Sequence, residues 1–279
     1  MSLNLFYITN NPAVALIAEK YGVDRIFVDL ETLGKEERQK NMNSVKSHHS
    51  IDDIKAISSV LTTSELLVRV NPWNDNSSNE IEQVISSGAD IIMLPMWKTV
   101  TEVKNFIRVV NKRTKTMLLL ETKEAVAIIE DVLEIDGIDE IHIGLNDLHL
   151  SYGMNFMFEL LANGTVEKLC DKIKTKNILY GFGGIARLGE GLLPSEKIIM
   201  EHHRLGSTRV ILSRTFCDVK DYKTFKDVDR VFEHNMRKLR NYEDMICTLD
   251  DKFYYQNQSE VIKTVENIVS NMRCRQHVL

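Results

Sequence analysis

The sequence predicts an α/β fold, a (β/α)8 TIM barrel with an extra C-terminal helical extension. Three observations carry that expectation. Eight short apolar runs alternate with helical patterns along 279 residues. Most of the runs are apolar on both faces, as in a parallel sheet covered on both sides. No low-complexity linker and no further repeat interrupts the alternation, so the units belong to one large domain. A doubly wound open sheet is the competing arrangement.

The strand runs are, in order, NLFYIT, RIFVDLE, ELLVRVN, DIIMLP, TMLLLET, EIHIGL, ILYGFGG and RVILSR. The first helix opens at Asn11-Pro12, with proline at the first helical position, and closes at Gly22. Ser50 is placed to cap IDDIKAISSVL, with Asp53 completing a box-like start. NEIEQVISSG, KTVTEVKNFIRVV, KEAVAIIEDVL and PSEKIIMEHHRLG supply further helices. In KEAVAIIEDVL, Ala125, Val126, Ile129, Val132 and Leu133 fall on one face. The division expected is a catalytic barrel over 1–225 and a helical extension over 226–279. The extension packs on the barrel or on a neighbouring subunit. An apolar stripe at Val228, Val231, Phe232 and Met236 is read as needing a partner surface.

Composition excludes several classes. The formal charge is −5, with no basic block, which argues against a nucleic-acid partner. No apolar run approaches membrane-spanning length, and the first residues lack the pattern of a signal peptide. A cytoplasmic location is therefore expected. Cys170, Cys217, Cys247 and Cys274 form no CxxC pair, so neither a zinc site nor a disulfide framework is expected.

Two apolar runs end in acids. Glu121 ends strand five and Asp147 ends strand six, so one strand–helix unit separates them. Active sites of such barrels lie at the C-terminal ends of the strands. Two carboxylates at that rim suit a hard divalent cation with room for water and substrate oxygens. Solvated loop acids or helix N-caps are the alternative.

Five segments occur together in order: RIFVDLE, LLVRVNPW, GADIIMLP, LLLET and GIDEIHIGLNDLHLSYG. They resemble the HpcH/HpaI aldolase and citrate lyase β-chain family of the pyruvate/phosphoenolpyruvate barrel superfamily. The resemblance runs from about Leu5 to Asp218 and is most specific at Arg69, Glu121 and Gly144 to Asp147. It implies a metal-dependent lyase or aldolase. Such an enzyme cleaves or forms a carbon–carbon bond of a 4-hydroxy-2-oxo acid through a pyruvate enolate, with an aldehyde as second partner. By that resemblance Glu121 and Asp147 match the metal ligands, for Mg²⁺ or Mn²⁺, with Co²⁺ a further candidate. Arg69 matches the arginine on the oxo-acid carboxylate. Asp29 and Glu31 match the acidic strand-two motif near the metal-bound water. Gly144, Leu145 and Asn146 fall on the substrate side of the motif. Relatives imply a homo-oligomer, a trimer or hexamer.

The chain departs from its relatives after strand two. The aldolase branch carries a histidine there and the citrate lyase branch an aspartate. This chain has Thr32, then the inserted LGKEERQKNMNSVKSHH. His49, or less favourably His48, is the expected general base, displaced along the chain. Asp29 or a metal-bound hydroxide held by Glu31 competes for the role.

Other signals are discounted. The GFGGIA string lacks a Rossmann context. As a loop after strand seven it makes Arg187 a candidate for the acceptor's charge, with Arg214 a weaker one; a rim salt bridge is the plainer reading of Arg187. Adjacent His202 and His203 point about 100° apart on a helix and do not share an ion, so they are read as basic residues at a helix C-terminus. His149 is read as a loop or supporting residue. Two functions compete with the aldolase reading: a citrate-lyase-like or malyl-type CoA-ester lyase, and a non-catalytic barrel subunit.

Overall fold

The computed structural model describes residues 2–34 and 49–276. His48 and residues 35–47 of the inserted segment lie outside the described residues. Eight parallel strands close in sequence order into a barrel. They are β1 (Asn4–Ile8), β2 (Arg25–Asp29), β3 (Glu65–Arg69), β4 (Ile91–Leu94), β5 (Lys115–Leu120), β6 (Glu140–Ile143), β7 (Leu179–Ile185) and β8 (Arg209–Leu212). Each of the eight predicted runs becomes a strand. The helices between them are α1 (Pro12–Lys20), α2 (Ile51–Ser58), α3 (Ser77–Ser86), α4 (Val100–Val110), α5 (Lys123–Ala127), α6 (Ile129–Leu133), α7 (Leu145–Ser151), α8 (Glu159–Ala162), α9 (Thr165–Lys174) and α10 (Ser195–Leu205). The C-terminal extension is α11 (Phe225–Ile246) and α12 (Asp251–Gln276).

Local chemistry sets the helix starts. Asn11 accepts from the N–H groups of Ala13 and Val14 ahead of α1, with Pro12 in its first turn. Ser50 and Asp53 form the reciprocal capping box of α2, and Thr99 with Glu102 repeats it at α4. The segment KEAVAIIEDVL does not form one helix. It breaks at Ile128 (φ −110°, ψ 11°) into α5 and α6, five residues each. Pieces that short persist through burial, here of Ala125, Ile129 and Val132, and not through helix propensity.

By its contacts the chain forms two compact units, Leu5–Leu120 with Glu124–Ile141, and Met1–Asn4 with Glu121–Lys123 and His142–Leu279. In the first unit, β2 and β3 pair in parallel with Arg25 opposite Glu65 and Asp29 opposite Arg69. Ile26 and Val28 on β2, and Leu66 and Val68 on β3, are fully buried or nearly so. The strands' period of two sends Arg25, Phe27 and Asp29 to the other face. Arg25 reaches β6 and makes two 2.6 Å bonds to the Glu140 carboxylate. It also donates to Glu65 at 3.0 Å, and Glu65 pairs in turn with Lys115. The N-terminal ends of β2, β3, β5 and β6 are thus linked by ion pairs among Arg25, Glu65, Lys115 and Glu140.

In the second unit, β7 bulges between Gly181 and Gly184 against β8. A Cβ on Gly181 would stand 2.1 Å from the Arg209 carbonyl, so only glycine permits that approach. Helix α10 is buried at Ile198 and Ile199 and stacks His202 on Phe182, with ring centroids 3.8 Å apart. His202 is fully buried and bonds Ser207 Oγ at 2.7 Å. It is a packed core histidine, which corrects its reading as a basic helix-end residue. Burial, followed by the neighbouring His142 and His203, holds its pKa well below the ordinary histidine value. Glu201 anchors α12: it accepts from Asn257 at 2.9 Å and from Arg204 at 2.7 Å, while Arg204 also reaches Glu167 on α9.

The stripe on α11 differs from its expectation. Val228, Phe232 and Met236 are buried by the chain itself. Phe232 meets Phe216 edge-on at 6.0 Å, and Asn235 donates to the Phe216 carbonyl at 2.7 Å. The stripe was read as needing a partner because its helix follows the eighth unit; the fold turns that helix back onto the loop after β8. None of the four cysteines forms a disulfide, and Cys170 and Cys217 are buried. Among the described residues, no helix is long and apolar enough to cross a membrane.

Candidate active site

The strand ends deliver the predicted residues to the C-terminal rim. Asp29 ends β2 and Arg69 ends β3, and the register sets them opposite each other. The Asp29 carboxylate takes Arg69 Nε and Nη2 at 2.8 Å each, a parallel two-bond fork. Glu31 stands two residues on, its Oε2 3.3 Å from the same Nη2. The Glu31 N–H donates to Asp29 Oδ1 at 3.2 Å. Asp29 and Glu31 are each 2% exposed, so Arg69 meets two buried acids. The Arg69 guanidinium also lies over the Phe27 ring at 5.6 Å, which fixes its plane.

His49 belongs to the same cluster. The Asp29 backbone N–H donates to its Nδ1 at 2.9 Å. Thr32, at the position where the resemblance led to an expected histidine or aspartate, has a different task. Asn71 Oδ1 accepts from the Thr32 and Leu33 N–H groups, at 2.9 and 3.0 Å. Asn71 is itself held by Glu80 at 2.7 Å. Burial raises the Glu80 pKa, against the lowering pull of its bonds from Asn71. Asn71 and Phe27 were not singled out in the sequence. Asn71 could have been, because it directly follows the VRV run at a rim position.

In the second unit, Glu121 follows β5 and is 3% exposed. Asp147, expected at the end of strand six, lies instead in the first turn of α7, which Gly144 opens directly after β6. The two rim segments are neighbours: the Lys123 N–H donates to Ser151 Oγ at 2.9 Å. Their donor set fits a hard divalent cation. Both groups are carboxylates, the oxygen donors that such a cation takes. Among the described residues, no cluster of three or more His, Cys, Asp or Glu side chains is placed to hold a metal. Leu145 is buried, with Gly183 (φ +53°) packed against it; a Cβ on Gly183 would stand 2.8 Å from Leu145 Cδ1. His149 is not in a loop: it lies in α7, with Nδ1 3.1 Å from the Leu145 carbonyl. Arg187 pairs with Glu190 at 2.7 Å and is 42% exposed, so it sits in a rim salt bridge.

These positions place the chain among known proteins. A family model, HpcH/HpaI aldolase/citrate lyase, matches residues 2–157. The chain belongs to that family. Its members are carbon–carbon lyases and aldolases, and the family's aldolases are generally dependent on a divalent metal. No curated protein matches the chain. Among solved structures, an HpcH/HpaI aldolase from Desulfitobacterium hafniense DCB-2 superposes with a TM-score of 0.61 at 16% identity, covering 76% of this chain and 86% of its own. An HpcH/HpaI aldolase/citrate lyase family protein from Burkholderia cenocepacia J2315 gives 0.60 at 14%, over 87% and 95%. Citrate synthase SbnG gives 0.57 at 15%, over 87% and 95%. At these identities the likeness is one of fold.

Proposed function

We propose that the protein is a divalent-metal-dependent lyase that cleaves, or in reverse forms, the carbon–carbon bond of a 4-hydroxy-2-oxo acid, with pyruvate and an aldehyde as the other side of the reaction. The observation that carries this is the pair of rim acids, Glu121 and Asp147, on segments tied by the Lys123–Ser151 bond, in a family of metal-dependent aldolases. Glu121 and Asp147 would hold the cation, Mg²⁺ or Mn²⁺. When bound, a divalent cation on the oxo acid's oxygens stabilises enolate charge as a Lewis acid.

The chain's own residues do the rest. Arg69, held by Asp29 and Glu31, receives the planar carboxylate with its guanidinium. The Asp29 fork and the Phe27 ring hold that guanidinium in one orientation before substrate arrives, so little ordering remains to be done on binding. The backbone of Gly144, Leu145 and Asn146 borders the oxo-acid end. In cleavage the hydroxyl proton leaves to an acceptor at the β2 end, where Asp29, Glu31 and His49 stand. The C3–C4 bond breaks, its electron pair stays with the three-carbon fragment, and the aldehyde departs. Protonation at C3 then completes pyruvate. Arg187, already paired to Glu190, would meet an acceptor's charge only by exchanging that partner.

The test is direct. Purified protein with Mg²⁺ or Mn²⁺ is given a panel of 4-hydroxy-2-oxo acids, and pyruvate is followed by coupled reduction. Metal-dependent release that chelator abolishes and metal restores is expected. Absence of pyruvate from every substrate with every metal would refute the reading.

A further inference from the structure

We propose that His49 is a positioning residue for the oxo-acid clamp, held as the Nε2–H tautomer, and not the base that takes the hydroxyl proton. This rests on the reading of Arg69 as the clamp.

The backbone explains why a histidine is placed there. Strand β1 ends at Ile8, and the bond from the Thr9 N–H to the Phe27 carbonyl lies at the end of its ladder with β2. On the other side of β2, the Leu30 N–H bonds the Arg69 carbonyl. N–H groups of successive strand residues point to opposite neighbours. The Asp29 N–H therefore points to the side where β1 has stopped, and a buried N–H requires an acceptor. His49 Nδ1 supplies it at 2.9 Å, in the place of a strand. Its neighbour Ser50 caps α2, so the imidazole is carried on a rigid helix start.

That bond decides the protonation state. The Nδ1 lone pair is occupied by a donor, so the neutral ring carries its proton on Nε2. A base needs the lone pair that is already in use. Taking a proton at Nδ1 would strand the N–H of a residue that is 2% exposed, an equilibrium cost of about tenfold or more. What His49 fixes is Asp29, and Asp29 fixes Arg69 through two 2.8 Å bonds. The line of action is His49 to Asp29 to the guanidinium that meets substrate. The hydroxyl proton is then left to the carboxylate groups of the cluster.

Two substitutions separate positioning from base catalysis. His49→Asn keeps an acceptor oxygen near the place of Nδ1 but does not titrate; His49→Ala keeps neither. Pyruvate affinity is measured by calorimetry with Mn²⁺ present, alongside kcat and KM for cleavage. We expect His49→Ala to weaken pyruvate about tenfold and raise KM, and His49→Asn to restore both to within about twofold. If His49→Asn is as slow as His49→Ala, with kcat lost and pyruvate affinity kept, His49 is the base and the proposal is overturned. A second readout does not depend on the clamp. Nitrogen-15 spectra of the imidazole at pH 7 should show Nε2–H with an unprotonated Nδ1; an Nδ1–H tautomer or an imidazolium overturns the proposal. Arg69→Lys tests the underlying reading: unchanged pyruvate affinity there refutes the clamp. In that case melting temperature still decides, since His49→Ala should lower it and His49→Asn recover it if His49 holds Asp29.

Discussion

The β2–β3 ladder carries an ion pair at each end, and the two ends place the charges in opposite order. At the N-terminal end, arginine stands on β2 and glutamate on β3; at the C-terminal end, aspartate stands on β2 and arginine on β3. In the lower set Arg25 is shared between Glu140 and Glu65, and Lys115 answers Glu65. Burial pulls the Arg25 pKa down, but the Glu140 bonds and charge, with help from Glu65, carry it above the ordinary value. The upper set gathers Asp29 and Glu31 on Arg69. The lower set lies at the end of the strands that serves stability, and the upper set lies at the rim where barrel enzymes bind substrates.

This contrast can be broken by mutation, and the largest effect belongs at the rim. Glu121→Gln keeps shape and removes a charged oxygen ligand, so turnover should fall by about 10³-fold while the melting temperature stays near wild type. Full activity in that variant, in metal-free buffer with metal added back, would remove Glu121 from the metal site.

The lower end should fail in stability instead. Arg25→Met leaves Glu140 buried without its fork, a loss of about 3–5 kcal/mol in denaturant unfolding. Adding Glu140→Leu should recover most of it, because a buried ion pair is often replaceable by well-packed apolar groups. Pyruvate affinity should be unchanged in the double variant; a drop would show that the two ends are coupled.

A smaller effect is expected of Arg69→Lys, which keeps the charge and loses the planar fork. Pyruvate binding should weaken about tenfold by titration. Equal affinity would mean that the carboxylate is held elsewhere.

The smallest effect concerns acid. The folded-state pKa of His202 lies well below 6.5, through burial first and then the nearby His142 and His203. The unfolded chain therefore binds more protons once pH drops below about 6.5, and stability should fall as pH is lowered from 7 towards 5. His202→Asn should flatten that fall in urea midpoints. A midpoint in the parent that does not move over this range would contradict the neutral, buried state.

The barrel was legible because its signals are local and repeated. Both-face apolar runs with helix caps between them admit few folds, and Ser50 with Asp53 or Asn11 with Pro12 need only their neighbours to act. Glu121 and Asp147 could be singled out because each was read at the end of a strand run, and a strand's end sets which rim it reaches; Arg69 was singled out by the resemblance. The same logic overreached on α11, where Val228, Phe232 and Met236 formed a correct stripe whose cover, Phe216 among it, lies in a loop that no periodicity reveals. What the sequence by itself determined was therefore the order of elements and the strand ends that carry acids and arginine. Tertiary structure alone decided which of these meet. Arg25 finds Glu140 across 115 residues, and Asp29 receives Arg69 through its carboxylate and His49 through its N–H. Spacing along a chain does not encode such pairings, because they depend on strand register and on where a neighbouring strand stops.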